Sequence, residues 1–308
     1  MHPLYTAVFE PGFFASPQVH IAAVLGGVVA IVSAVTGVFT VMRGQSFGGH
    51  ALSDVSAAGG SAALLIGLSP VAGFVGLGIA GAAVMDMIGV RRLRGRDLAT
   101  GIVLGTAIGL TALFLYLTTT SGATTGAVQQ ILFGSIFTTS SGTIPAVAIL
   151  GVVALGSIAT VGRPLLLSTV SPDIAAARGV PVRLVGLIYM LALAVSVGLS
   201  SLAVGAVLST ALLIGPAAAA LRLTRRVASA IGIACLIGVI ATGLGVLLAY
   251  DSYYWGSSHL GLPVSFFIVA VIFVTYLASG LPAAWARARN REAAAPPLTA
   301  TENGQIAA

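Results

Sequence analysis

Apolar residues run for about 20 positions at a time along this chain, and the breaks between runs are short, polar and rich in Arg. Nine runs can be laid out: Ile21 to Met42, Phe47 to Leu68, Val71 to Ile88, Asp97 to about Thr118, Ile144 to Gly162, Leu184 to Leu199, Leu202 to Leu221, Val227 to Tyr250 and Pro263 to about Leu281. Most come close to the ~20 residues a helix needs to cross a hydrocarbon core of about 30 Å. The pattern predicts an all-α polytopic membrane protein with nine transmembrane helices, or eight if one run is re-entrant. Between Thr119 and Thr143 the only apolar stretch is QQILFGSIF, too short to cross and better placed at an interface or folded back into the bundle. The sixth and seventh runs are expected to meet at a minimal tip, Ser200-Ser201, and Arg163-Pro164 to close the fifth.

The division that follows is an interfacial segment over 1–20, a transmembrane domain over 21–282 with a polar loop at 164–183, and a tail over 283–308. Pro3, Pro11 and Pro17 sit among aromatics in the first segment, and no basic stretch precedes the first run, so a cleavable signal is not expected. The Pro/Ala/Thr-rich tail has the composition of a disordered segment. Basic residues give the orientation. Arg43, the cluster Arg91, Arg92, Arg94 and Arg96, then Arg163, Arg178 and Arg183, then Arg222, Arg225 and Arg226, and finally Arg287, Arg289 and Arg291 all fall on one side of a nine-span layout. The opposite loops hold Glu10 and Asp251 but no base. By the positive-inside rule the N-terminus lies outside and the C-terminus in the cytoplasm.

Composition sharpens the picture by what it excludes. At 57% hydrophobic and 7% charged residues, against roughly 25% charged in soluble domains, the chain is fit for lipid. All fourteen bases are Arg, so a phosphate loop of the GxxxxGK[ST] type has no Lys to complete it, and any ATP must be bound by another chain. The net charge of +6 reflects loop clusters rather than a nucleic-acid surface. The single Cys, Cys235, excludes an intrachain disulfide and reads as a small core residue. Neither HExxH nor GxSxG occurs, which removes the commonest intramembrane hydrolase chemistries.

Candidate chemistry lies in FGGHALSDVSAAGG, Phe47 to Gly60. A spacing of four puts His50 and Asp54 on one helix face, one turn apart. If the helix runs unbroken from Arg43, Asp54 lies about 16 Å from the polar end, near the bilayer midplane. A charged group there costs about 2.5–3.5 kcal/mol on insertion scales, so it is expected to face a polar cavity or a partner. The pair suits Zn, Mn or Fe ions and is poor for Cu(I); alternatively it is an internal hydrogen-bonded pair that fixes helix packing. Asp86 and Asp97 flank the Arg91 cluster and read as its ion partners.

A second signal is SPDIAAARG, Ser171 to Gly179. Ser171 can cap a helix, Pro172 suits its first position, Asp173 favours its positive end and Gly179 can terminate it. Two turns are too few to be stable alone, so this helix needs a surface, either a partner protein or its own bundle.

Three stretches in order, FGGHALSDVSAAGG, SPDIAAARGVPVR and VGAVLSTALLIGPAAAALRLTRR, resemble the permease subunits of bacterial ABC importers for zinc, manganese and iron ions. ILFGSIF and LGLPVSFFIVAVIFV add weaker similarity, so the resemblance spans nearly the whole chain. In that family the positions of His50 and Asp54 usually hold Asp and His, exchanged relative to this sequence. An acid commonly follows LFG where this chain has Ser135, which is therefore given no role. The resemblance implies that Ser171, Pro172, Asp173, Ala175, Arg178 and Gly179 form the coupling helix that docks on an ATPase subunit, and that Gly215-Pro216 is a proline kink in the translocation domain. It implies His50 and Asp54 as ion ligands, a homodimer, two ATP-binding subunits, an extracytoplasmic metal-binding protein and a place in the cell membrane. Zinc is the first expected cargo, then manganese and iron, with no permanently bound cofactor and no covalent chemistry by this chain. His20 and His259 fall on the outer side and are expected to be ordinary surface residues. The rival reading is an ion-coupled secondary transporter that works without an ATPase, using Asp54 as a proton relay.

Overall fold

The computed structural model describes residues 13–87, 93–122, 126–134, 136–255 and 261–294, with the backbone alone for 93–99 and 282–294. Those residues form helices joined by short turns: α1 (Pro17–Met42), α2 (Ser46–Leu65), α3 (Pro70–Met87), α4 (Leu93–Thr120), α5 (Ala127–Phe133), α6 (Ile144–Val170), α7 (Pro172–Ala177), α8 (Val182–Val204), α9 (Ala206–Leu223), α10 (Val227–Ser252) and α11 (Val264–Ala294). Single 3-10 turns at Phe13–Ala15 and Ser141–Thr143 precede α1 and α6. The all-α expectation holds among the described residues.

Eight of these helices are long and apolar enough to cross a membrane, and α2, although it has 20 residues, is not one of them. Its sequence explains why: Gly, Ala and Ser dominate, and they are nearly all buried. Small residues let backbones approach closely where lipid offers no hydrophobic drive for helix association. Gly59 meets the Gly73 backbone, Gly60 lies against the Phe74 ring, Ser56 against Gly78 and Val55 against Gly81. These contacts pair α2 antiparallel with α3.

The core helices are α1 and α8, buried along most of their length. Polar atoms inside are matched across helices: Ser33 with Ser200 at 3.1 Å, and Thr40 with the Tyr189 hydroxyl at 2.8 Å. Large apolar side chains instead crowd the outside, as Ile149, Val152 and Val153 do on α6 and Phe273, Val274 and Leu277 on α11. Apolar matter outside and hydroxyls inside is what a lipid solvent selects.

The two ends of the bundle differ chemically. At one end the closing residues of α1, α6 and α9 meet the first turns of α2, α8 and α10. Arg43 reaches Ser168 and Thr169, and Ala217 and Ala220 pack with Ala34, Val38, Ala230 and Ala234. Arg222 stacks 3.8 Å over the Tyr276 ring at this same end. At the other end aromatics gather: Phe13 on Tyr250 at 5.3 Å, Tyr250 near Tyr254, and Trp255 on Phe267 at 5.9 Å. Bases at one boundary and Tyr and Trp at the other are marks of a membrane-spanning bundle.

Several boundaries differ from expectation. The turn between α8 and α9 falls at Gly205, not at Ser200-Ser201. Both serines are fully buried, Ser200 on Ser33 and Ser201 on Ser53, so the helix continues through them. Gly205 takes φ +92° and ψ 157°, a conformation open essentially to Gly, and lies against Leu132 and Gly134, where α5 folds back into the bundle. Arg163-Pro164 does not end its helix; α6 runs on to Val170. Losing one amide donor is outweighed by Leu165, fully buried, and by the bonds of Ser168 and Thr169. At the far end α11 continues to Ala294, so the first part of the expected disordered tail has a helical backbone. Arg91, Arg92, Ser135, His259 and the tail beyond 294 lie outside the described residues, as do the side chains of Arg94, Arg96, Asp97, Arg287, Arg289 and Arg291.

Candidate functional site

The chain reverses after α1 in three residues: Arg43, Gly44 at φ +60°, and Gln45, whose amide bonds the Thr40 carbonyl at 2.9 Å. α2 starts at Ser46, so His50 stands one turn inside it and Asp54 two. Three faces of α2 are spent on helix packing. From Ala51 to Gly60 every residue except Asp54 is buried. His50 and Asp54 occupy the remaining face, with side chains 40% and 13% exposed.

Depth follows from the pairing with α3. The contacts of Ser56 with Gly78 and Val55 with Gly81 place Asp54 opposite Ala80 to Ala82 of the 18-residue α3, a little to the Arg side of its middle. His50 lies one turn nearer the Arg end.

The His50 Nε2 and Asp54 Oδ2 atoms are 3.9 Å apart. That is too long for a hydrogen bond, and one ion about 2.1 Å from each atom can bridge both. The buried Oδ2 has no hydrogen-bond partner, so the carboxylate is not consumed in packing. His50 Nδ1 lies 2.9 Å from the hydroxyl of Thr210 on α9. With Nδ1–H donating to that oxygen, the Nε2 lone pair is left for an ion, the outer-sphere device that metal-binding imidazoles use. No group of three or more His, Cys, Asp or Glu that could hold an ion occurs among the described residues. The pair therefore provides part of a shell, which suits an ion that must leave again.

Thr210 was not legible as a partner. Its only sequence signal is the hydroxyl pair Ser209-Thr210 inside an apolar run. Ser209 serves the other side of the same contact: Ser53 bonds Ser209 at 2.5 Å, Ser201 at 3.0 Å and the Ala206 carbonyl at 3.0 Å. This buried hydroxyl cluster fixes α2 against α8 and α9 directly behind Asp54. Beside Thr210 opens an apolar groove between α9 and α11, about 390 Å³, lined by Ala211, Ile214, Gly215, Phe273 and Tyr276 among others. Gly215 lets Ile272 approach, a place where a Cβ would collide. Pro216 is buried and α9 continues through it.

A second group of expected residues lies at the Arg end. Ser171 caps α7, its Oγ accepting from the Ile174 amide at 3.4 Å; Pro172 opens the helix and Asp173 stands in its first turn. The Val180 amide bonds the Ala175 carbonyl at 3.0 Å and Gly179 takes φ +77°, which ends the helix. Only Ala175 is buried; Pro172, Asp173, Ile174 and Arg178 are exposed. The helix forms as its capping residues predict and presents an open face. The structure does not bring it into the neighbourhood of His50 and Asp54.

Comparison with known proteins finds relatives over most of the chain. Residues 16–280 match the ABC 3 transport family. The manganese transport system membrane protein MntC of Halalkalibacterium halodurans is 32% identical over 225 residues, 72% of this chain and 76% of that protein. The high-affinity zinc uptake system membrane protein ZnuB of Haemophilus influenzae is 26% identical, covering 75% and 88%. Among solved structures, PsaBC from Streptococcus pneumoniae in complex with Fab superposes with a TM-score of 0.76 at 25% identity, over 89% of this chain and 95% of that one.

Proposed function

The chain belongs to the ABC 3 transport family, and from that premise we propose that it is the membrane-spanning permease of an ATP-driven importer of a divalent transition-metal ion. The observation that carries this reading is an imidazole and a carboxylate on an open face at mid-height of a membrane bundle. Their chemistry admits zinc, manganese and ferrous iron, and the relatives named above serve manganese and zinc.

The exposure of His50 argues for a homodimer. An ionisable pair facing acyl chains at that depth is unfavourable, so the face needs a cover that still admits water. A second copy laid over α2 and the adjoining α9–α11 groove supplies it, together with the ligands that one chain lacks. In this arrangement the Arg end faces the cytoplasm, with α7 seated on an ATP-binding subunit, and the aromatic end receives a metal-binding protein from outside. The ion enters the shared path, exchanges water for His50 Nε2 and Asp54 Oδ2, and is released when the bundle opens inward. ATP hydrolysis belongs to the partner subunit.

The test is uptake of manganese, zinc and iron by proteoliposomes, with and without the ATP-binding subunit. Uptake that requires both that subunit and ATP is expected. Equal uptake by the permease alone would instead indicate an ion-coupled secondary transporter. A further expectation concerns Thr210→Val, which keeps shape and removes the hydroxyl on His50. Ion affinity by titration calorimetry should fall about 10- to 100-fold, the usual cost of a lost outer-sphere partner. Unchanged affinity would show that Thr210 does not orient the imidazole.

A further inference from the structure

Arg43 closes α1 and touches both helices that flank α7. Its Nη1 lies 3.3 Å from Ser168 Oγ and 3.2 Å from Thr169 Oγ1, in the last turn of α6. The guanidinium carbon stands 5.1 Å from the centre of the Tyr189 ring on α8, and the Tyr189 hydroxyl bonds Thr40, one turn earlier on α1. α6 leads into α7 without slack, because Ser171 both closes α6 and caps α7. α8 follows α7 after only Arg178 to Pro181. Arg43 therefore grips the chain just before and soon after the exposed helix.

On its other side Arg43 is joined to the ion pair. Two residues, Gly44 and Gln45, separate it from Ser46, where α2 begins, and His50 stands one turn further on. Gly44, at φ +60° with open space around it, makes the tight turn between the two helices. Ser168 and Thr169 are thus linked through Arg43 and a two-residue turn to the first turn of α2.

We propose that Arg43 is a positioning residue that couples α7 to the ion-binding face of α2, so that docking at one changes access to the other. The side chain suits the task. The Arg43 guanidinium donates from Nη1 to two hydroxyls while it lies over the Tyr189 ring, and its rigid planar fork holds that geometry better than a flexible ammonium does. The inference rests on the importer reading, since it assigns a route between the ATPase seat and the ion pair.

The test uses the whole complex, permease with its ATP-binding subunit and metal-binding protein, in proteoliposomes. ATP hydrolysis with and without metal-loaded binding protein, and ions moved per ATP, are read for the wild type, Arg43→Ala and Arg43→Lys. Arg43→Ala is expected to retain basal hydrolysis and the ion affinity of the permease, and to lower ions per ATP about tenfold, an ordinary size for coupling between sites. Arg43→Lys should recover part of the loss. If Arg43→Ala does not assemble, the pair Ser168→Ala with Thr169→Val, which removes the two acceptors and leaves the charge, is expected to reduce the same ratio. A merely structural role would lower hydrolysis and uptake in proportion, leaving ions per ATP at the wild-type value, and that result overturns the proposal. If the wild type itself shows no metal-stimulated hydrolysis, the importer reading fails. If the wild type is stimulated and Arg43→Ala matches its ratio, only the role of Arg43 fails.

Discussion

Replacing Asp54 by Asn is expected to abolish metal uptake, by more than about 100-fold, while the protein inserts and folds at least as well as before. The two halves of this expectation have separate causes. Asn keeps the shape of the side chain and removes the charge that attracts a divalent ion and forms its short oxygen bond. Losing a direct ligand should exceed the 10- to 100-fold effect of losing an outer-sphere partner. Removing a carboxylate from mid-membrane also relieves a burial penalty of about 2.5–3.5 kcal/mol. Lost activity with raised or unchanged thermal stability separates an ion ligand from a packing residue. An internal pair that merely fixes helices would lose both together.

The exchanged order of the pair relative to the resembled family adds an internal control. The double variant His50→Asp with Asp54→His restores the same two donors on the same face, one turn apart. It should recover much of the uptake that either single change destroys. Failure of the exchange with success of both singles would place the function elsewhere on α2.

The second large effect is expected at α7. Asp173→Ala with Arg178→Ala leaves the Ser171 cap and the buried Ala175 in place, so the helix should survive. Both altered side chains are exposed and take no part in holding the bundle. In the assembled complex this double variant should lose most of the stimulation of ATP hydrolysis by metal-loaded binding protein, and uptake with it. Binding of the ion to the permease should be unaffected, because α7 and the His50–Asp54 pair are at different levels. Stimulation equal to that of the wild type would show that α7 is only a connector lying against its own bundle.

Local signals were legible in the sequence wherever a residue's own neighbours determine its geometry. The cap at Ser171, the proline at 172 and the glycine at 179 shaped α7 as read, and a spacing of four put His50 and Asp54 on one face. Interfaces between distant segments were not legible. Ser200 and Ser201 look like a polar tip until Ser33 and Ser53 are seen to satisfy them inside the bundle, which moves the turn to Gly205. Pro164 looks like a stop until Arg43 is seen to hold the following turn in place. Thr210 was missed for the same reason: 160 residues separate it from the imidazole it touches. The helix that carries the pair, laid out from sequence as a span, is too polar to count as one by composition, and its small residues are explained by its antiparallel packing on α3.

The most direct test of the account is the coordination of the ion itself. X-ray absorption on the zinc-loaded permease should show a mixed shell at about 2.0–2.2 Å containing imidazole nitrogen and carboxylate oxygen, with the nitrogen signal lost in His50→Ala and the shell weakened in Asp54→Asn. A shell that neither substitution alters would mean that the ion passes through the membrane by other ligands, and the account would be wrong at its centre.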